Sequence, residues 1–133
     1  MNYKIINGAD KMKIDEIMNL LKQTYWAERR SQETVEKSMR NSQCYGIYLK
    51  GQNILVGFAR VITDFATTYY LCDVVIDSKY QNNGLGTALI SYIENLPEYQ
   101  GLRGILITRD AHALYKKFGY ETLNDRVMVK GRL

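Results

Sequence analysis

Residues 74–87, Val74-Val75-Ile76-Asp77-Ser78-Lys79-Tyr80-Gln81-Asn82-Asn83-Gly84-Leu85-Gly86-Thr87, decide the fold. An apolar, β-branched run passes through a polar loop into a glycine-marked helix start. The first N–H groups of a helix have no internal acceptor and carry the positive end of its dipole, so several converging amides can hold a phosphate without a side-chain charge. Gly84 and Gly86 let the backbone come close to such a ligand. A blander reading competes, in which Gly84 merely starts the helix and Gly86 merely lets it pack. Two rival phosphate motifs fail on the residues themselves. A P-loop needs Gly-Lys-Ser/Thr, but Thr87 follows Gly86 directly, and a dinucleotide fingerprint needs a third glycine where Leu89 stands.

Outward from this stretch the elements alternate. Upstream, Val, Ile and Tyr enrichment predicts strands over 43–49, 54–63 and 68–77, separated by turns short enough to imply an antiparallel meander. Before them, residues 3–7 (YKIIN) read as an opening strand closed by Gly8, and Asp10 stands where a helix N-cap belongs. Ile14, Ile17, Met18 and Leu21 recur at three-and-four spacing and predict a first helix. Ser31 is a cap for a second helix reaching about Asn41, which leaves an aromatic and basic connection carrying Tyr25, Trp26, Arg29 and Arg30. Downstream, Leu85, Leu89, Ile93 and Leu96 share one helix face, ended by Pro97. A strand buried on both faces is expected over 103–108, a helix over 110–118 broken at Gly119, and a closing strand over 120–130. The order is βααβββαβαβ, an α/β chain.

One domain spanning 1–133 is expected, since this length leaves no room for a second folded unit. The composition, 46% hydrophobic and 24% charged with a single Pro, excludes collagen-like, disordered and disulfide-scaffold classes. No apolar run reaches the roughly 18–20 residues of a membrane span, and the first residues have no secretory pattern, so no membrane association is expected and the cytoplasm is the default compartment. With only Cys44, Cys72 and His112 available, no metal site is expected and both cysteines read as reduced thiols. The net charge of +4 is spread along the chain rather than clustered. That suits a small polyanion and argues against a nucleic-acid module.

Gln81-Asn82-Asn83-Gly84-Leu85-Gly86 resembles the [Arg/Gln]-x-x-Gly-x-[Gly/Ala] motif of the GNAT N-acetyltransferase superfamily. A second element resembles that family's last helix, Ala111-His112-Ala113-Leu114-Tyr115-Lys116-Lys117-Phe118-Gly119-Tyr120, and βααβββαβαβ is also the family's order. The resemblance implies the GNAT fold, a mixed central sheet splayed between its fourth and fifth strands by a bulge. It implies acetyl-CoA as the acetyl donor. Gln81 would lead into the turn, backbone amides of Asn82, Asn83, Gly84, Leu85, Gly86 and Thr87 would hold its pyrophosphate, and Val74, Val75 and Ile76 would pair their backbone with the pantetheine arm. Tyr115 matches the position from which the family commonly protonates the leaving thiolate.

The resemblance implies direct transfer to a primary amine in a ternary complex. Asp73, beside the expected acetyl position, would accept the amine proton or bind the ammonium, although its ordinary pKa of about 3.9 makes it a weak base unless burial raises it. Trp26 and Tyr70 would frame a small-molecule amine. His112 falls in the opening turn of the last helix and is not expected to act as base. Cys72 with Asp73 and His112 could be imagined as a thiol hydrolase, but a mid-strand Cys is usually a small buried hydrophobe. A non-catalytic acyl-CoA sensor on the same scaffold is the alternative function. A homodimer is open as an assembly.

Overall fold

The computed structural model describes residues 2–131. The elements are β1 (Tyr3–Asn7), α1 (Ile14–Leu21), α2 (Gln32–Arg40), β2 (Gln43–Leu49), β3 (Ile54–Thr63), β4 (Thr68–Ile76), α3 (Leu85–Glu94), β5 (Arg103–Ile105) and α4 (His112–Lys116). They build one mixed sheet in the order β1-β2-β3-β4-β5. The first four strands pair antiparallel, and β5 joins β4 in parallel. The α/β class and the mixed sheet are those expected.

Each helix buries one stripe against one sheet face. Leu85, Leu89, Ile90 and Ile93 of α3 pack on Tyr45, Ala59, Val61, Tyr69 and Leu71. On the opposite face Ile17, Leu20 and Leu21 of α1 with Val35 and Met39 of α2 cover Cys44, Tyr48, Phe58 and Val75. Each large side chain so buried contributes about 1.5–3 kcal/mol relative to exposure. The sheet is therefore held between two unlike layers, α3 with Tyr115 of the short α4 on one side and α1 with α2 on the other.

Local signals in the sequence account for most helix boundaries. Ser31 caps α2, its hydroxyl accepting from the Thr34 N–H at 3.1 Å. The chain leaves α1 through Thr24, whose buried hydroxyl donates to the Leu21 carbonyl and accepts from the Ala27 N–H. That pair of bonds fixes the direction of the Tyr25–Arg30 connection. Asp10 is not the cap of α1. It lies in a single 3-10 turn, Ala9–Lys11, that follows Gly8 at φ 128°, and Lys13 occupies the N-cap place with no side-chain bond.

Two strand expectations are corrected at the far edge. β5 is three residues long rather than six, and it is not buried on both faces, because Ile105 and Ile107 are each more than two-fifths exposed. The closing strand over 120–130 does not form: residues 121–131 carry no strand, and Met128 is 97% exposed. β5 has no second neighbour among the described residues, so its outer edge is unpaired. Alternating apolar residues mark a segment as able to pair, not as paired.

Candidate active site

The cleft begins with a bulge in β4. Across the β3–β4 ladder Phe58 faces Val75 and Arg60 faces Cys72, so Asp73 and Val74 both stand opposite Ala59. Two residues against one is a β-bulge, and Asp73 sits at φ 54°, the left-handed region a β-carbon disfavours. Simple alternation from Tyr69 and Leu71 would turn Asp73 under α3. The bulge instead turns its carboxylate to the α1–α2 face, where Arg60 points. Beyond it the sheet opens, since β4 and β5 pair only at Thr68–Arg103, Tyr69–Gly104 and Tyr70–Ile105. The strands then diverge around a cavity of about 610 Å³. The splay between the fourth and fifth strands is thus present.

Asp73 is the centre of a charged network at the cavity wall. One carboxylate oxygen accepts from Trp26 Nε1 at 3.1 Å, the other from Arg30 Nη1 at 2.7 Å and Arg60 Nε at 2.8 Å. Arg60 continues to Ser42 Oγ at 3.0 Å, and Ser42 donates to the Ser38 carbonyl of α2. Burial alone would push the Asp73 pKa up, but the Arg30 hydrogen bond and the Arg60 and Arg30 charges outweigh it and hold the group below the ordinary carboxylate value. Both oxygens are occupied and the charge is doubly compensated. A carboxylate held this low is a poor base for an amine proton. Its observed work is to fix Trp26, Arg30 and Arg60.

Arg30 and Arg60 are the site residues that sequence reading missed. Arg30 was visible as part of a basic, aromatic connection. Arg60 stood alone inside the apolar run of β3, and a lone guanidinium in a buried strand requires a buried carboxylate partner. Nothing in the spacing says that the partner is Asp73, thirteen residues on.

Tyr115, Trp26 and Tyr70 all line the cavity. Tyr115 is 8% exposed, and burial, then the charges of Asp110 and Glu94, push its phenol up to about 12. It is neutral near pH 7 and able to donate a proton or hydrogen bond. Tyr69 differs from its neighbour: alternation turns it under α3, where its hydroxyl donates to Glu94. At the mouth, the Arg109 guanidinium lies 3.7 Å from the centre of the Tyr25 ring. His112 is the first residue of α4 and exposed. Burial pushes the Cys72 thiol up to about 11 despite Arg60, so it is a neutral thiol and not a nucleophile.

The 81–87 loop follows β4 directly. Asp77 caps a 3-10 turn, Ser78–Tyr80, by accepting from the Lys79 N–H. Gln81 donates back to the Ile76 carbonyl, and the Asn83 amide donates to the carbonyls of Tyr80 and Gln81, which together shape the turn. Gly84 starts α3 at φ 77° with no side-chain cap. The first helical bond runs from Ala88 N–H to Gly84 O, leaving the N–H groups of Leu85, Gly86 and Thr87 without helical acceptors. A β-carbon on Gly84 would meet nothing within 4 Å, and one on Gly86 only Ile76 at 3.6 Å. Packing does not demand either glycine. The space above them and the unsatisfied amides fit a pyrophosphate.

Comparison with known proteins agrees with this architecture. The model of the acetyltransferase (GNAT) family matches residues 14–120. A curated protein from Gibberella zeae, assigned by name to the acetyltransferases, is 26% identical over 126 residues, covering 80% of this chain and 71% of its own length. A crystal structure from Xanthomonas campestris, described as belonging to the GNAT family, shares 30% identity with a TM-score of 0.91, covering 99% of this chain and 94% of that one. A Clostridium acetobutylicum structure containing acetyl-CoA has the same fold at 12% identity and a TM-score of 0.71, covering 96% of each chain. With the family model matched over most of the sequence, the splayed sheet and the bulged fourth strand, the chain belongs to the GNAT acetyltransferase family.

Proposed function

We propose that this acyltransferase moves the acetyl group of acetyl-CoA to the primary amine of a small molecule by direct transfer in a ternary complex. The observation that carries the reading is the cavity opened by the β4 bulge, with Tyr115 on one wall and the unsatisfied amides of the 81–87 loop following the same strand. Acetyl-CoA, when bound, supplies the thioester carbonyl that an amine can attack. The amides from Asn82 to Thr87 hold the pyrophosphate, with Gln81 keeping the turn in place. The edge of β4 beyond Tyr70 has no strand partner on the β5 side, so backbone groups of Val74, Val75 and Ile76 are available to the pantetheine arm. A backbone N–H of Val75 or Ile76 receives the developing oxyanion. The Tyr115 hydroxyl donates its proton to the departing sulfur.

Asp73, held below the ordinary carboxylate value by Arg30 and Arg60, is a poor acceptor for the amine proton. The proton leaves to water instead. Trp26 and Tyr70 supply aromatic walls for the body of the acceptor.

A cytoplasmic location accompanies this reading, supported by two free cysteines. So does a homodimer, supported by the unpaired β5 edge and the exposed Ile105, Ile107 and Met128. Light scattering of the purified chain at micromolar concentration should give twice the monomer mass; a monomer would remove that part.

The deciding experiment is thiol release from acetyl-CoA across a panel of amines, amino acids, polyamines and peptides, with isothermal calorimetry of CoA alone. Binding with amine-dependent release is expected. Binding without release for any amine would leave a non-catalytic sensor, and absence of both would remove the assignment of the loop.

A further inference from the structure

The cavity has a charge that acetyl transfer to a simple amine does not require. At its mouth Arg109 and Asp110 offset each other, but inside, Arg30 and Arg60 face a single carboxylate, Asp73. Arg60 is spent on Asp73 and Ser42 and is 91% buried. Arg30 is different. Its side chain gives Asp73 only Nη1, makes no other hydrogen bond among the described residues, and is 28% exposed on the cavity wall. Its anchor is fixed independently, because Trp26 and Arg60 also hold Asp73. A guanidinium tethered through one nitrogen, with its other N–H groups without an acceptor among the described residues and its side chain part-exposed on a cavity wall, is a receptor for an oxyanion.

The pantetheine arm and thioester are uncharged, and the pyrophosphate belongs at the 81–87 loop on the far side of Val74–Ile76, so the acetyl donor does not account for this charge. An ammonium would be repelled by it. We propose that the acceptor carries an anionic oxyacid group, carboxylate or phosphate, in addition to its primary amine, and that Arg30 receives that group while Trp26 and Tyr70 hold the body between them. This rests on the amine-acetylation reading above. It makes Arg30 a specificity-determining residue and assigns the acceptor to zwitterionic amines rather than polyamines or simple arylalkylamines.

Two substrate pairs that differ in the anion test it: phenylalanine against phenethylamine, and O-phosphoethanolamine against ethanolamine. In at least one pair the anionic member should have the higher kcat/KM by about 10- to 100-fold, the usual worth of hydrogen bonds to a charged group. Which pair responds distinguishes carboxylate from phosphate. Arg30→Gln should abolish that preference. Arg30→Lys, which keeps a cation beside Asp73 and so protects the fold, should reduce it about tenfold by losing the planar fork. Equal or better use of the uncharged member in both pairs overturns the proposal while leaving the acetyltransferase reading intact, and so does an undiminished preference in Arg30→Lys. If no amine is acetylated, the reading of function fails instead, and the site is tested by calorimetry of the same four compounds in the presence of CoA. Tighter binding of an anionic member that Arg30→Lys weakens upholds the site, and equal binding within both pairs overturns it.

Discussion

Two side chains, Tyr115 and Asp73, were read from the sequence as a catalytic pair, and their surroundings separate them. Tyr115 is buried, faces the cavity and keeps its proton, so Tyr115→Phe should lower turnover by about 100- to 10,000-fold while leaving the calorimetric affinity for CoA unchanged. Wild-type turnover in that variant on an amine it acetylates would reduce Tyr115 to packing. Asp73 offers the opposite case. Asp73→Asn strips the counter-charge from two guanidiniums, and breaking a buried pair of this kind costs about 3–5 kcal/mol. The melting temperature should fall by about 10 °C or more. Loss of activity with an unchanged melting temperature would restore Asp73 as a base. The residue types at the site were legible one at a time. Their partners were not, because Trp26, Arg30 and Arg60 meet Asp73 only through tertiary folding across 47, 43 and 13 residues.

Among the elements, the strand–loop–helix unit from β4 to α3 was legible because its signals are local: a β-branched run, a polar turn, then glycine at a left-handed position. It supports a graded test. Gly86→Ala should retain CoA binding and leave stability equal or higher, since its β-carbon would only touch Ile76 and alanine favours a helix over glycine by about 1 kcal/mol. Gly86→Val should keep the fold and lose binding, because a branched side chain starting 3.6 Å from Ile76 presses the helix start away from β4 and moves its amides. Gly84→Val adds strain at φ 77° and should lose both some stability and binding. Undiminished affinity in both valine variants would move the pyrophosphate elsewhere. At the other edge, the reading failed for a physical reason. Residues 103–108 and 120–130 have strand composition, but whether a strand pairs depends on what lies beside it, and after Ile105 the chain turns from β4 to make the cleft. The bulge was expected from the resemblance alone, because no local pattern around Asp73 marks the place where β4 leaves its alternation.

Across the whole molecule, both cores and the cleft bury groups that titrate, and this sets the pH range of stability. Burial, with Asp110 behind it, pushes the Tyr115 phenol up to about 12; burial and the bond to Glu94 push Tyr69 up to about 12 as well. Unfolded, both would titrate near 10. The folded chain therefore holds these protons more tightly, and the stabilisation this represents is complete below about pH 10 and lost as pH rises towards 12. Tyr45 and Tyr120 are shifted in the same direction. Asp73 has the reverse sign: its folded pKa lies below the unfolded value of about 3.9, so its contribution is present above about pH 4 and disappears as pH falls through the folded pKa. The melting temperature should be nearly flat from about pH 5 to about 8, falling below that range with Asp73 and above it first with the buried thiols of Cys44 and Cys72, both raised by burial, and then with the tyrosines. Calorimetry across pH checks this together with its cause. Tyr115→Phe should make the alkaline decline shallower and leave the acid decline alone, and Asp73→Asn, although less stable throughout, should make the acid decline shallower. Alkaline and acid declines identical to wild type in both variants would mean that the limits come from exposed charge rather than from the groups that line the cleft.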